Sequence, residues 1–512
     1  MAPIIDPYVE KILKARVYDV AIESPLEIAP ALSTKLNNEI FLKREDLQPI
    51  FSFKLRGAYN KIAGLSPAQL TNGVITASAG NHAQGVALAA NRLGVRSLIV
   101  MPCTTPDIKV EAVRRLGGKP LLFGDTYDEA QGRALELADE KEMVFIPPYD
   151  DPDVIAGQGT IGMEILRQQP DGIAAIFVPV GGGGLIAGIS AYVKSLYPQI
   201  RIIGVEPRDA ACLHLALTTG RRKALKQVGI FADGVAVRQV GKETYRLARK
   251  YVDEVILVET DEICAAVKDI FDDTRSIAEP AGALAVAGLK KYVAENAVTG
   301  AKLVAVDSGA NTNFDRLRHV AERAELGERR EALLAVTIPE RPGSFFAFCK
   351  AIGKRNVTEF NYRYFGASEA QVFAGIQLPK GDFSEKQALI EQLGDKGYGV
   401  TDLSDNEFAK SHIRYMVGGH APTVDDELVY RFEFPERPGA LLSFLAQIGR
   451  RWNIAMFHYR NHGAAYGRVL VGIQVPPAER KDFQSFLDAL GYVYYNETDN
   501  PACRLFLSSG RG

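Results

Sequence analysis

Cysteine is scarce in this chain. The five thiols among 512 residues, Cys103, Cys212, Cys264, Cys349 and Cys503, show no CxxC pair and no His/Cys cluster at ligand spacing. That argues against a disulfide framework or a zinc site and leaves reduced thiols, so no metal is expected. Long apolar runs are missing as well. No stretch is long enough to cross a bilayer, and Met1 to Glu10 lacks the basic start and apolar core of a secretory signal, so a cytoplasmic protein with no membrane partner is expected. Charge of one sign is not in excess either: the net charge of -2 gives no whole-chain attraction to nucleic acid. What is present is an ordinary globular composition, 47% apolar and 24% charged, with length enough for two or three cores.

From about Val74 the chain alternates short β-branched runs with longer amphipathic segments. Val74 to Thr76, Ser97 to Met101, Ala174 to Val180, Arg201 to Val205 and Lys302 to Val306 read as strands covered on both faces. Between them, Asn81 to Arg92, Thr105 to Leu116, Asp125 to Ala138, Leu185 to Leu196 and Ala281 to Ala294 have helical length and periodicity. Alternation of this kind predicts an α/β architecture with parallel sheets. The charged stretch Ala321 to Glu331 reads as a boundary, although an exposed helix would fit it too.

The final third repeats itself. Pro339-Glu340-Arg341-Pro342-Gly343 recurs as Pro435-Glu436-Arg437-Pro438-Gly439 at an offset of 96 residues. Phe360-Asn361-Tyr362-Arg363 recurs as Phe457-His458-Tyr459-Arg460, and Gly375-Ile376-Gln377 as Gly472-Ile473-Gln474, both at an offset of 97. One residue is therefore inserted between the anchors, near Trp452. Each copy has a strand-like run (Ala332 to Ile338; Leu428 to Phe434) and a helix-like segment (Ser344 to Ile352; Ala440 to Ile448), followed by further strand signals. Two similar α+β modules are expected, each a sheet with helices on one face. Such a duplicate can be purely structural, but a repeated module appended to a complete catalytic domain is more often a ligand sensor or oligomer interface.

Four features carry chemistry. Lys54, within Ser52-Phe53-Lys54-Leu55-Arg56-Gly57-Ala58, has the apolar and aromatic neighbours Phe51, Phe53, Leu55 and Tyr59. Desolvation there would favour the neutral, nucleophilic amine that Schiff-base chemistry needs, whereas a lone surface lysine would have no such use. Ser78-Ala79-Gly80-Asn81 lies between a strand and a helix, where backbone N–H groups can receive an anion such as a substrate carboxylate; a capped tight turn is the plainer alternative. Gly181 to Gly184, followed by Leu185, join a buried strand directly to an apolar helix, as a flexible linker seldom does. Lacking Cβ atoms, they can wrap a phosphate at the helix N-terminus. Asp307-Ser308-Gly309-Ala310-Asn311 follows the last strand and would place Ser308 at the same carboxyl edge, where open α/β sheets bind ligands.

Together with Lys43-Arg44-Glu45-Asp46-Leu47-Gln48-Pro49, these motifs make the chain, from about Val17 to Leu507, resemble the pyridoxal phosphate enzymes related to tryptophan synthase β, and among them the threonine dehydratases. The resemblance implies a two-lobed parallel-sheet catalytic domain over residues 1–328. Two ACT-like regulatory modules would follow, over 329–408 and 409–512. It further implies that Lys54 carries pyridoxal 5'-phosphate, that Asn81 hydrogen-bonds the cofactor's phenolic oxygen, and that Gly181 to Gly184 with Leu185 hold its phosphate. Ser308 would face the pyridine nitrogen, Ser78 to Asn81 would hold the substrate carboxylate, and Glu279-Pro280-Ala281-Gly282-Ala283 would line the site; no proton-transfer role is assigned to Glu279. Two modules mark the long biosynthetic form, which implies a homotetramer inhibited by isoleucine and relieved by valine. Threonine would be converted to 2-oxobutanoate and ammonia, with freed Lys54 taking the α-proton. Serine dehydration or racemisation on the same scaffold, and a non-enzymatic amino-acid sensor, are the competing expectations.

Overall fold

The structure, a computed structural model, describes residues 6–339, 347–348, 351–353, 355, 357–362, 369–378, 383–415, 425–435, 452–460 and 466–507. It divides into two compact units, residues 1–324 and 325–512.

The first unit has two lobes. In the larger, strands β1 (Leu26–Ile28), β2 (Glu39–Arg44), β7 (Ile173–Pro179), β8 (Arg201–Pro207), β9 (Glu254–Val258) and β10 (Lys302–Asp307) form a six-stranded sheet in the order β1-β2-β10-β7-β8-β9. Only the β1–β2 pair is antiparallel. The smaller lobe is inserted between β2 and β7. Its strands β3 (Val74–Ala77), β4 (Ser97–Met101), β5 (Lys119–Leu122) and β6 (Val144–Phe145) make a parallel sheet in the order β5-β4-β3-β6. Parallel pairing needs both faces covered, and the continuous apolar character of Ile176, Phe177 and Val178, each fully buried, meets that need.

All five expected strands and all five expected helices are present, with ends moved for identifiable reasons. The helix expected from Thr105 begins at Asp107, because the residue before Pro106 is disfavoured in helical conformation. The helix expected from Asp125 begins at Tyr127, where Thr126 and Glu129 form a capping box. Helices Lys54–Ala63 and Pro152–Gln168 were not read from the sequence. They cross where a Cβ on Gly157 would lie 2.7 Å from the Gly57 Cα, so glycine alone permits the approach. The charged stretch after Ala321 belongs to a helix, Arg316–Gly327, and the division between the units falls within it.

In the second unit, β11 (Glu331–Pro339), β12 (Val357–Tyr362), β13 (Glu369–Gln377) and β14 (Gly399–Asp402) form an antiparallel sheet in the order β12-β13-β11-β14. Strands β15 (Glu427–Pro435), β16 (Asn453–Arg460), β17 (Tyr466–Gln474) and β18 (Val493–Asn496) repeat that order. Even an irregularity repeats: the register shifts between Val357 and Glu359, and again between Ile454 and Met456. The Glu340 to Gly343 and Glu436 to Gly439 turns, Arg363, and most or all of the two helix-like segments lie outside the described residues.

Alternate residues of β11 serve two cores. Ala332, Leu334, Val336 and Ile338 pack with Leu389 and Leu393 of the helix Phe383–Asp395, while Leu333 and Ala335 join Phe373, Phe408, Val429, Leu470 and Phe506 in a core common to both modules. Asn406 and Asn500, which cap two short helices at corresponding places, also meet side chain to side chain at 3.2 Å. Among the described residues, no helix is long and apolar enough to cross a membrane.

Candidate active site

Each chemical motif lies at a strand end or a helix start. Lys54 opens its helix; its Nζ donates to the Pro148 carbonyl at 3.1 Å and stands 5.2 Å from the Phe53 ring centroid. Burial lowers its pKa to about 8, with the Glu279 carboxylate opposing the shift. Phe53 and Ser52 tie this stretch to the loop after β10: Phe53 N donates to Ser308 O at 3.4 Å, and Ser52 bridges Gly309. Phe51, a bulky residue held at φ +54°, supplies the carbonyl that receives the Ala310 amide at 2.9 Å. Such a conformation costs a non-glycine residue energy, and here it sits between two elements of the site.

Asn81 opens the helix after β3. Its Nδ2 donates to Glu279 Oε1 at 2.6 Å, and its Oδ1 accepts from Asn311 Nδ2 at 2.8 Å, so the amide is held from both ends. Glu279 in turn is fixed by its backbone amide, which donates to Gly309 O. Burial and the nearby Asp233 charge push its pKa up to about 7. Ser78 Oγ accepts from the Gly80 amide at 3.2 Å, shaping the half-buried loop Ser78 to Asn81. Next to it His82 is buried and bonded to Ile146 O; burial and the Lys54 charge lower its pKa to about 3, so it is neutral.

The glycine loop is held by its carbonyls. Gly181 O accepts from Cys212 Sγ, Gly182 O from Thr244 Oγ1 at 2.8 Å, and Gly183 O from the Ala187 amide. Among the described residues, the amides of Gly181, Gly182 and Gly183 bind no protein acceptor. Gly183 has φ +91°, and a Cβ on Gly182 would lie 2.2 Å from the Tyr149 ring. Such a cradle of free amides at the start of the helix Gly184–Leu196, which Leu185 continues, suits a phosphate, while the Lys54 amine suits an aldehyde. The residues therefore fit pyridoxal phosphate.

Ser308 is buried, with Oγ 3.4 Å from Ala281 O. Beneath it lies a group the sequence reading passed over: Asp307, fully buried, with neither carboxylate oxygen hydrogen-bonded and Arg44 Nε 3.9 Å away. Burial and the Asp46 charge raise its pKa well above the usual carboxylate range. Pro148, Tyr149 and Asn311 were missed too. The Pro147-Pro148 pair and the Asn311 amide were visible in the sequence, but their partners were not.

A family model described as pyridoxal-phosphate dependent enzyme matches residues 17–309, and one described as C-terminal regulatory domain of threonine dehydratase matches 322–413 and 418–507. The biosynthetic L-threonine dehydratase IlvA of Burkholderia multivorans is 56% identical, over 98% of this chain and 99% of its own. The chain belongs to the biosynthetic threonine dehydratases. These are pyridoxal phosphate enzymes with a C-terminal regulatory domain, and this dehydratase carries both parts. Among solved structures, the processed form of threonine deaminase isoform 2 from Solanum lycopersicum is 52% identical with a TM-score of 0.62, covering 63% of this chain and 94% of that one. Maize serine racemase is 31% identical with a TM-score of 0.57, covering 61% and 96%. A sensor with a vestigial first domain does not fit a family match that spans the intact site.

Proposed function

We propose that this dehydratase converts L-threonine to 2-oxobutanoate and ammonia, with Lys54 holding the cofactor and then carrying the proton from the α-carbon. The observation that supports this most is geometric: the buried Lys54 amine donates to Pro148 O, and the next residue, Tyr149, packs against Gly182 of the glycine loop, while burial lowers the amine's pKa and so raises its neutral fraction. Bound there, pyridoxal phosphate supplies an electron sink beside the amino acid's α-carbon. The chain's own groups do the rest. The amides of Gly181 to Gly184 and Leu185 hold the phosphate, Asn81 hydrogen-bonds the phenolic oxygen, and the loop Ser78, Ala79, Gly80 and Asn81 receives the substrate carboxylate. Ser308 offers the ring nitrogen a neutral hydroxyl, which favours loss of the β-hydroxyl over return of the proton.

The regulatory part of the proposal is that residues 329–408 and 409–512 form two ACT-like modules that bind isoleucine as inhibitor and valine as its antagonist, in a homotetramer of a cytoplasmic enzyme. The family match over 322–413 and 418–507 supports it, as does the repeated sheet topology. The test is 2-oxobutanoate release by the purified protein with threonine and with serine, beside Lys54→Ala, and with isoleucine and valine added. Turnover of serine in preference to threonine, or equal turnover by the Lys54→Ala protein, would count against it.

A further inference from the structure

The segment Asp233 to Arg238 runs between the lobes and touches the site twice. A Cβ on Gly181 would lie 2.9 Å from the Val235 Cα, and one on Gly234 would lie 2.9 Å from the Ala281 Cβ and 3.5 Å from Glu279 Oε1. The strap therefore backs both the phosphate cradle and the carboxylate that holds Asn81. Its ends are tied to the smaller lobe by ion pairs. Lys109, on the helix Asp107–Arg115, reaches Asp233 Oδ2 at 2.7 Å, and Asp128, on the helix Tyr127–Glu140, receives Arg238 Nη1 at 2.9 Å. On the larger lobe, Arg316 binds the other Asp233 oxygen at 3.2 Å, and the Leu225 amide donates to Arg238 O. Ala232 and Val235 belong to the larger lobe's core, whereas Val110 and Val113 of the Lys109 helix belong to the smaller lobe's.

We propose that Lys109 and Asp128 are positioning residues for the reaction: through Asp233 and Arg238 they clamp the strap onto Gly181 and Glu279 and hold the two lobes together around the bound cofactor and amino acid. Neither touches a reacting atom. The proposal rests on the reading of Lys54 and Gly181 to Gly184 as the cofactor site. Pairs as exposed as Asp128–Arg238, with side chains 60% and 53% exposed, are individually weak, so each is expected to act by a modest factor. Two of them hold opposite ends of one short segment, so both bear on how firmly it is seated against Gly181 and Glu279.

The experiment uses the full-length enzyme and compares Lys109→Met, Lys109→Arg, Asp128→Arg and the charge swap Asp128→Arg/Arg238→Asp. Two quantities are read: the rate at which pyridoxal phosphate leaves on dilution, followed by its absorption, and the separate kcat and KM for threonine. Lys109→Met and Asp128→Arg should each release the cofactor faster and raise KM, by a factor on the order of five at most, with kcat largely unchanged. Lys109→Arg and the charge swap should return both quantities toward wild type, which a packing role would not. Release and KM at wild-type values in the single variants would overturn the clamp, as would a charge swap no better than Asp128→Arg alone. Should Lys109→Met fail to fold, the exposed Asp128–Arg238 pair decides the matter. A wild-type protein that holds no cofactor would instead overturn the reading of the site.

Discussion

Asn81 and Glu279, 198 residues apart, are joined side chain to side chain at 2.6 Å, and the bond sets which way the Asn81 amide faces. Ionised Glu279 accepts that bond; protonated, it competes as a donor. Burial and Asp233 raise the Glu279 pKa to about 7, against the opposing pull of Lys109, the Asn81 bond and Arg316. The rate profile for kcat/KM should therefore fall on the acid side with an apparent pKa near that value. Glu279→Gln should remove the limb. Stability runs the other way: a folded pKa above the unfolded one favours the protonated form, so stability is full at low pH and is lost as pH rises through about 7. Urea unfolding of wild type and Glu279→Gln below the unfolded value of 4.5 and above about 7 checks this, the variant's relative stability rising across that window and levelling off above it.

A second prediction concerns Ser308. Ser308→Asp would place a carboxylate next to Asp307, whose oxygens already lack hydrogen bonds in a fully buried setting. Two acids there cannot both ionise cheaply, so with Ser308 at the ring nitrogen, as proposed, the new one would gain most by pairing with a protonated cofactor nitrogen. A protonated ring is a stronger electron sink, and the proton then has time to return. The ratio of 2-oxobutanoate formed by dehydration to products of side reactions, such as transamination, should drop. An unchanged partition ratio would remove this account of Ser308.

Arg56, two residues after Lys54, is enclosed with three other charges. Its guanidinium meets Glu45 at 2.8 Å and Glu164 at 2.5 Å, Lys43 meets Glu164 at 2.7 Å, and all four side chains are 0% exposed. Two positive and two negative groups balance. Arg56→Met leaves two carboxylates with one cation and should cost about 3–5 kcal/mol in a denaturant titration. Because Glu164 lies on the helix that crosses the Lys54 helix, the same change should loosen the Lys54 segment, and native-state hydrogen exchange over residues 54–63 should rise with it.

The sequence made the buried parallel strands and the small-residue loops after them legible, because an uninterrupted apolar run followed by glycines has few other uses. Ser308 and Lys54 gained their roles from motifs beside them. Glu279 stood in a visible motif yet had no role, since its meaning depends on Asn81 across the cleft. Tyr149 packs on Gly182, a contact no local pattern encodes. In the second unit the repeat showed two modules, but not their shared core. A strand such as β11, apolar on both faces, shows that its second face must be covered and leaves open what covers it. Asn406 and Asn500 stand in no motif, and only the fold brings them to 3.2 Å.

The boundary helix Arg316–Gly327 makes the regulatory reading testable. Val320 and Ala324 are buried in the catalytic core, so a cut before the end of this helix would strip that core, whereas truncation after Glu328 keeps it whole. The tomato threonine deaminase chain, matched over 94% of its length by 63% of this one, shows that a protein of nearly this extent forms the fold. The truncated enzyme should therefore fold and dehydrate threonine. If the modules transmit the effector signal, isoleucine should no longer inhibit it, because the coupling free energy, typically about 1–3 kcal/mol, resides in the part removed. The measurement is the isoleucine titration of both proteins at one threonine concentration. Inhibition retained by an active truncated enzyme would place the effector site within residues 1–328 and end the assignment of that role to the paired modules.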